Sequence, residues 1–383
     1  MNNAALMPGR ATRAGTEDYV RTYGADLADG HYSDFLNLHL KLSSLGLGTF
    51  PGAASDEVDE RYSEIVQRAL TSGINVVDTA VHYRYGRSVR AVGEGLRRAF
   101  AAGVAREQVF VISKGGFLRF DDGVPEDLDA WFETHIARKG LGRRDDLTDV
   151  HLLSPGYVAQ QIEDVRSALG LETLDAFLVD QPEVHIPRIG KEQLNRKLQS
   201  VFAVLEQAVK ENKIRCYGIS TFNGFRVETD HALFQSLPSL LGLAENAARL
   251  VHQDARAKHG FRLVQLPFNQ AMPEGFTRFS QATGHGNVAS TIQAAFQLKV
   301  YVMASHSLAK GRLAASGEDL LRDALPQFAN AAQRALQFNR STPGLGTSLA
   351  GISTPAHLED LLAVARIAPM ARADYLKLYQ RAE

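Results

Sequence analysis

The sequence predicts a (β/α)₈ barrel carrying an N-terminal arm, on three observations. Short apolar runs rich in Val, Ile, Leu and Phe alternate with stretches that place apolar residues at helical spacing, and each kind occurs eight times. The runs are apolar on both faces, the pattern of a parallel sheet covered by helices. The eight units fill roughly 300 residues, which suits a barrel of ~250 residues plus insertions. A doubly wound open sheet is the alternative, but no G-x-G-x-x-G follows the first strand, and Gly93-Glu94-Gly95 falls inside a helical stretch.

Residues 1–42 are polar and weakly patterned, and read as an arm that wraps the outside or is partly mobile. The barrel is expected over 43–366 and a C-terminal helix packing on it over 367–383. The first strand is Leu45 to Phe50. Tyr62, Ile65, Val66, Ala69 and Leu70 then mark a helix ended by Gly73. The strand Ile74 to Asp78 leads to a helix from about Ser88 to Ala102, with Ser88 as its cap. Val109 to Lys114 is the third strand, and a long insertion, 115–154, follows it. Pro155 opens a helix ended by Gly170, and strand four is Leu174 to Asp180. Strands five to eight are Arg215–Ser220, Arg262–Pro267, Val300–Ser305 and Leu349–Ile352. The helices between them fall near 198–209, 240–258, 288–298 and 327–338. Thr354 caps the last barrel helix, with Pro355 in its first turn.

Composition narrows the function classes. A net charge of -1, with both signs interspersed, leaves no footprint for nucleic acid or an anionic membrane. The single Cys216 excludes an internal disulfide framework and reads as a small buried hydrophobe. No run approaches the ~20 apolar residues of a membrane helix, and residues 1–15 contain no apolar core of a secretory signal. A cytoplasmic protein is expected, and the sequence does not address its oligomeric state.

In a barrel the carboxyl ends of the strands meet at one face. Strand two ends in Asp78, three in Lys114, four in Asp180, five in Ser220 and seven in Ser305, and Gln265 lies within strand six. Charged residues that end apolar strands converge in space although they are far apart in sequence. The bland reading of Asp78 and Lys114 is a buried structural ion pair; the sharper one is a chemical site.

Asp78-Thr79-Ala80, with Tyr83 five residues after the aspartate and Arg87-Ser88 before Gly93, resembles the aldo-keto reductase signature. Val111 to Gly116 resembles that family's lysine strand and Gly218 to Phe222 its fifth-strand segment. The resemblance spans about residues 43–366, and Gln337 to Gly344 resembles a subfamily with a long third loop. It implies metal-independent reduction of an aldehyde or ketone by NADPH, or by NADH in its place. Tyr83 would be the proton donor, with Lys114 lowering its pKa and Asp78 holding the lysine. Tyr85, next to Gly86, is the rival donor. Ser220 and Gln265 would hold the nicotinamide, and Ser305 stands where the family places a stacking aromatic. Leu308 and Gly311, in the segment 307–311, would wrap the pyrophosphate. Ser353, His357 and Asp360 lie where the family holds the adenosine end, at a helix start that favours an anion.

The sequence departs from the family pattern in three places. The expected histidine ending strand four is Asp180, Ser305 replaces the aromatic, and the adenine-site pair is Asp360-Leu361, where Leu361 suits packing on the barrel. An ionised aspartate cannot donate a hydrogen bond, and at ~4 Å and an effective dielectric of ~20 it repels a developing oxyanion by about 4 kcal/mol. It helps only if burial keeps it protonated; otherwise it is a base. His82, beside Tyr83, is a candidate substitute donor, and His306 could face the ligand. Three readings follow: a carbonyl reductase, a redox-neutral isomerase, dehydratase or lyase using Asp180 and Tyr83, and a non-catalytic NADPH-binding subunit. Phe117, Phe120, Trp131, Phe132, Phe276 and Phe279 in the long loops suggest a partly aromatic pocket. No histidine pair has metal-ligand spacing.

Overall fold

The computed structural model describes residues 5–283, 286–315 and 319–380. The ends of the expected arm and C-terminal helix, and part of the loop 270–287, lie outside these. The arm forms α1 (Arg13–Tyr23) and an antiparallel hairpin of β1 (Tyr32–Phe35) and β2 (Leu40–Ser43). The barrel begins with β3 (Leu45–Gly48), α2 (Asp56–Leu70), β4 (Val76–Asp78), α3 (Arg87–Ala101) and β5 (Phe110–Gly115). The insertion holds α4 (Leu128–Phe132) and a two-stranded ribbon of β6 (Leu147–Thr148) and β7 (His151–Leu152). Then come α5 (Pro155–Leu169), β8 (Leu174–Asp180), α6 (Ile186–Lys210), β9 (Ile214–Ser220), α7 (Leu237–His252) and β10 (Phe261–Pro267). A short helix, α8 (Glu274–Thr277), and a hairpin of β11 (Phe279–Ala282) and β12 (Val288–Ser290) precede α9 (Thr291–Gln297). The barrel ends with β13 (Tyr301–Ser305), α10 (Arg312–Ala315), α11 (Ala331–Arg340), β14 (Thr347–Gly351) and α12 (Pro355–Ala365), followed by α13 (Arg372–Lys377).

The eight strands β3, β4, β5, β8, β9, β10, β13 and β14 pair in parallel, each with its neighbour, and β14 closes on β3. This is the (β/α)₈ barrel expected from the sequence. Outward-facing Val, Leu, Ile and Phe of the strands bury against the helix ring. Inward-facing Val76, Phe110, Ile112, Ala176, Leu178, Cys216, Leu263, Met303 and Leu349 fill the interior.

The arm differs most from the sequence reading. Its hairpin plugs the floor of the barrel, where Phe35, Leu40 and Leu42 join the interior core. Phe35 stacks on Tyr301 at 4.5 Å and meets Phe110 edge-on at 5.9 Å. Asp175 locks the arm from below: it accepts from Ala11 N at 2.7 Å and from Arg106 and Val111 N at 2.7 and 2.9 Å. We expect Phe35→Leu, which keeps an apolar plug but loses both ring pairs, to cost about 1–2 kcal/mol in urea unfolding.

Helix starts differ where side-chain caps decide them. α3 starts one residue earlier than expected, at Arg87, after Gly86 in left-handed conformation (φ 78°). Ser88 is not its cap, and instead donates to Thr49 O at 2.6 Å. Ser236 caps α7, Ser290 caps α9 and Asn330 caps α11, which moves those starts to Leu237, Thr291 and Ala331. Thr354 caps α12 as expected, accepting from His357 N.

Candidate active site

Strand register builds the site. Asp78, at the end of β4, pairs with Ile112 of β5, two residues before Lys114. Lys114 Nζ therefore meets Asp78 Oδ2 at 2.5 Å and reaches Tyr83 OH at 3.1 Å. Tyr83 arrives from a tight turn in which Arg84 and Tyr85 both have positive φ. Such left-handed non-glycine residues cost energy and persist where the surroundings enforce them. Arg84 supplies that enforcement: its guanidinium bonds Ala53 O and Asp59. The turn aims Tyr83 inward and leaves Tyr85 40% exposed. Gln265 of β10 donates to Asp78 Oδ1 at 3.2 Å, and Ser220 of β9 donates to Gln265 Oε1 at 3.2 Å. Five expected residues, Asp78, Tyr83, Lys114, Ser220 and Gln265, thus form one hydrogen-bonded chain, buried except at the half-buried Tyr83.

Burial alone would strip the proton from Lys114, but the charges of Asp78 and Asp180 outweigh it and hold the ammonium above the ordinary lysine range. Burial pushes Asp78 up while Lys114 pulls it back. The proton therefore sits on the lysine. Tyr83 corrects an expectation. Burial pushes its hydroxyl above the ordinary value, and Lys114, although it pulls downward, does not overcome burial and the charges of Asp78 and Asp180. Tyr83 stays protonated at every physiological pH.

Asp180 ends β8 opposite Ser220, with its side chain 5% exposed. Burial pushes it up to about 6, against the pull of Lys114 and of the Ser220 and Gln181 side chains. His82 Nε2 lies 3.8 Å from Asp180 Oδ2, and burial holds His82 down at about 3. At neutral pH the corner therefore holds a carboxylate facing a neutral imidazole. The rise of Asp180 from 3.8 to about 6 corresponds to about 3 kcal/mol. The sign follows from linkage: the folded state binds this proton more tightly, so stability is lost as pH rises from about 4 to about 6 and stays lost above. We expect Asp180→Asn to raise the melting temperature at pH 7–8 and to change it little at pH 4.

Asp180 is clamped through its backbone. His151 Nε2 donates to Asp180 O at 2.6 Å, His185 Nε2 donates to His151 Nδ1 at 2.8 Å, and Thr148 Oγ1 donates to His185 Nδ1 at 2.8 Å. The carbonyl at one end can only accept, which fixes the direction of every bond in the chain. Burial keeps His151 near 3 and His185 near 4, so both rings are neutral.

The mouth carries residues that the sequence reading missed. Phe50, 52% exposed, meets the Tyr83 ring edge-on at 5.1 Å, and Lys310 Nζ lies over the Phe50 ring at 5.7 Å. Phe222 meets His306 edge-on at 5.2 Å. Glu183, buried, accepts from Phe222 N and Asn223 N and holds that loop. Of the loop aromatics, Phe117 does reach the site, packing on His82 at 4.9 Å. The aromatic pocket does not otherwise form. Phe120 and Phe132 belong to the insertion's own small core, with Trp131 packed against it, Phe276 packs on Tyr375 and Tyr379, and Phe279 faces outward.

The expected cofactor residues divide into two groups. Thr221, next to Ser220, has a buried hydroxyl without a partner among the described residues, a polar group left for a ligand. Between Ser305 and Gly311 the backbone is left-handed at His306, Ala309 and Lys310, and space is open where a Gly311 side chain would stand. Leu308 and Ser353 are partly exposed and His357 is exposed. These features suit a dinucleotide. Asp360 does not: it accepts from Asn330 and Gln333 at 2.8 and 2.7 Å, and Leu361 is fully buried in the core.

Residues 44–232 match the model of the aldo/keto reductase family. The chain belongs to the aldo-keto reductase family. Its barrel superposes on a holo-form aldo-keto reductase of Bacillus halodurans with a TM-score of 0.60 at 17% identity, covering 91% of this chain and 95% of that one. A D-galacturonate reductase of Hypocrea jecorina is 42% identical over 79 residues, 21% of this chain and 23% of that protein. An NADH-specific methylglyoxal reductase of Escherichia coli is 26% identical over 197 residues, 50% of this chain and 51% of that protein. The chain thus spans about half or less of the length of the curated relatives it matches. Within this aldo-keto reductase, no helix among the described residues is long and apolar enough to cross a membrane. No group of three or more His, Cys, Asp or Glu side chains among them could hold a metal.

Proposed function

We propose that this aldo-keto reductase reduces an aldehyde or ketone with NADPH or NADH, without a metal. The observation that carries the reading is the hydrogen-bonded chain from buried Asp78 through buried Lys114 to Tyr83. Relatives named as reductases of galacturonate, methylglyoxal and glyoxal support the reaction class. Ser220, Thr221 and Gln265 would hold the nicotinamide and the segment 305–311 the pyrophosphate. A bound reduced nicotinamide supplies hydride. Tyr83, always protonated, hydrogen-bonds the substrate carbonyl oxygen and gives it a proton as negative charge develops there. Lys114, charged and fixed by Asp78, stabilises the tyrosinate left behind until solvent returns its proton. Asp360 and Leu361 leave the adenosine end less polar than the family pattern.

The test is a fluorescence titration with NADPH and with NADH. Saturable binding of at least one, below about 1 mM, is the expected result. No binding of either at that concentration contradicts the reading. A second, redox-neutral reading is favoured by one observation, the buried Asp180 carboxyl titrating near 6 beside Tyr83. Turnover by protein stripped of cofactor decides for it.

A further inference from the structure

We propose that the gap between His82 Nε2 and Asp180 Oδ2 is a subsite for a hydroxyl carried next to the reacting carbonyl, so that the preferred substrates are α-hydroxy aldehydes and α-hydroxy ketones. The inference rests on the reductase reading above and assigns its substrate class. The gap measures 3.8 Å, too long for a direct hydrogen bond. An oxygen set beside that line reaches both atoms at about 2.8 Å, an ordinary hydrogen-bond length.

The gap is held open from both sides. The His82 ring is wedged between Tyr83, at 4.8 Å and 82°, and Phe117, at 4.9 Å and 47°. Asp180 is fixed by its ladder position opposite Ser220 and by His151 on its carbonyl. The His82 ring cannot move toward Asp180 without losing its packing, and the Asp180 backbone cannot move toward His82 without breaking the strand ladder.

The chemistry selects a hydroxyl. A carboxylate only accepts. Nδ1 of His82 is buried without a partner, which favours the ring proton on Nε2, where a ligand oxygen can take it. One group must therefore donate to Asp180 and accept from His82, and a hydroxyl does both. A carbonyl oxygen cannot donate and is repelled by the carboxylate. The His82 ring packs on the Tyr83 ring at 4.8 Å, which sets the gap beside that ring, on the side where a substituent next to the carbonyl would lie. The aspartate is then a recognition group rather than a failed donor. A site built around a substrate hydroxyl rejects the analogue lacking it far more strongly than an apolar pocket rejects a missing methylene.

The experiment compares hydroxyacetone with butanone, in which CH₃ replaces OH, using NADPH and the full chain. We expect kcat/KM to favour hydroxyacetone by about 100-fold or more. That ratio should collapse to about tenfold or less in Asp180→Leu and in His82→Phe, each checked for folding by near-UV circular dichroism; Asp180→Asn, nearly isosteric, should fall between and serves if the leucine variant does not fold. A wild-type ratio near one overturns the proposal, as does a large ratio that survives all three substitutions. If neither ketone consumes NADPH or NADH, the cofactor titration above decides the reductase reading separately, and saturation-transfer NMR of the two ketones decides the subsite. Stronger transfer to hydroxyacetone in the wild type, lost in the variants, sustains it, and equal transfer sinks it.

Discussion

Tyr83→Phe is expected to lower kcat for a carbonyl substrate by about 10³-fold, within the range that a positioned general acid contributes. Cofactor affinity should stay within about threefold, because the phenyl ring keeps its packing against Phe50, His82 and Lys114. Tyr85→Phe is the control. Tyr85 lies 40% exposed on the outer side of the turn, and its substitution should change kcat by less than about twofold. Equal losses in the two variants contradict the assignment. Because burial keeps the Tyr83 hydroxyl above its ordinary range, kcat should not fall through this group between pH 7 and 9.

Lys114→Met is expected to remove activity to a similar degree and to destabilise the fold as well. The lysine is fully buried, and its removal leaves the Asp78 carboxyl without its cation. Breaking a buried pair from one side costs about 3–5 kcal/mol. The double variant Lys114→Met, Asp78→Leu removes both charges and should recover most of that stability in urea unfolding, but none of the activity. Recovery of both would mean that the pair is structural and takes no part in the reaction. Stability that never falls in the single variant contradicts the ion pair itself.

The barrel was legible because its strands are apolar on both faces and its helices periodic, which is a constraint on every unit. The candidate site was legible for a related reason. Asp78 and Lys114 end otherwise apolar strands, and the barrel brings strand ends together. What remained hidden depends on contacts between distant segments. The hairpin under the barrel alternates over only four residues per strand, and its apolar Phe35, Leu40 and Leu42 signify little until the open floor above them is known. The 115–154 insertion looked like a pocket lining, yet a segment that long must bury its own aromatics, and Phe120 and Phe132 do so. Phe50 read as a strand residue, although Pro51 after it disfavours a continued element and was the available signal for a mouth position. The departure at Asp180 was visible in the sequence; its clamp by His151 and its gap to His82 were not, because they depend on where the insertion folds back. The pKa of Tyr83 went the other way from expectation because depth of burial, unlike the presence of a lysine, is a property of the whole fold.

The central claim is hydride transfer to a carbonyl with Tyr83 as the acid, and an isotope measurement addresses it directly. The enzyme is incubated with NADPH deuterated at both C4 positions and a carbonyl substrate, and the product is weighed by mass spectrometry. The expected result is an alcohol carrying one deuterium, formed at least about 10³-fold more slowly by Tyr83→Phe. Product formed without deuterium while the cofactor stays reduced, or formed as fast by Tyr83→Phe, would contradict the account.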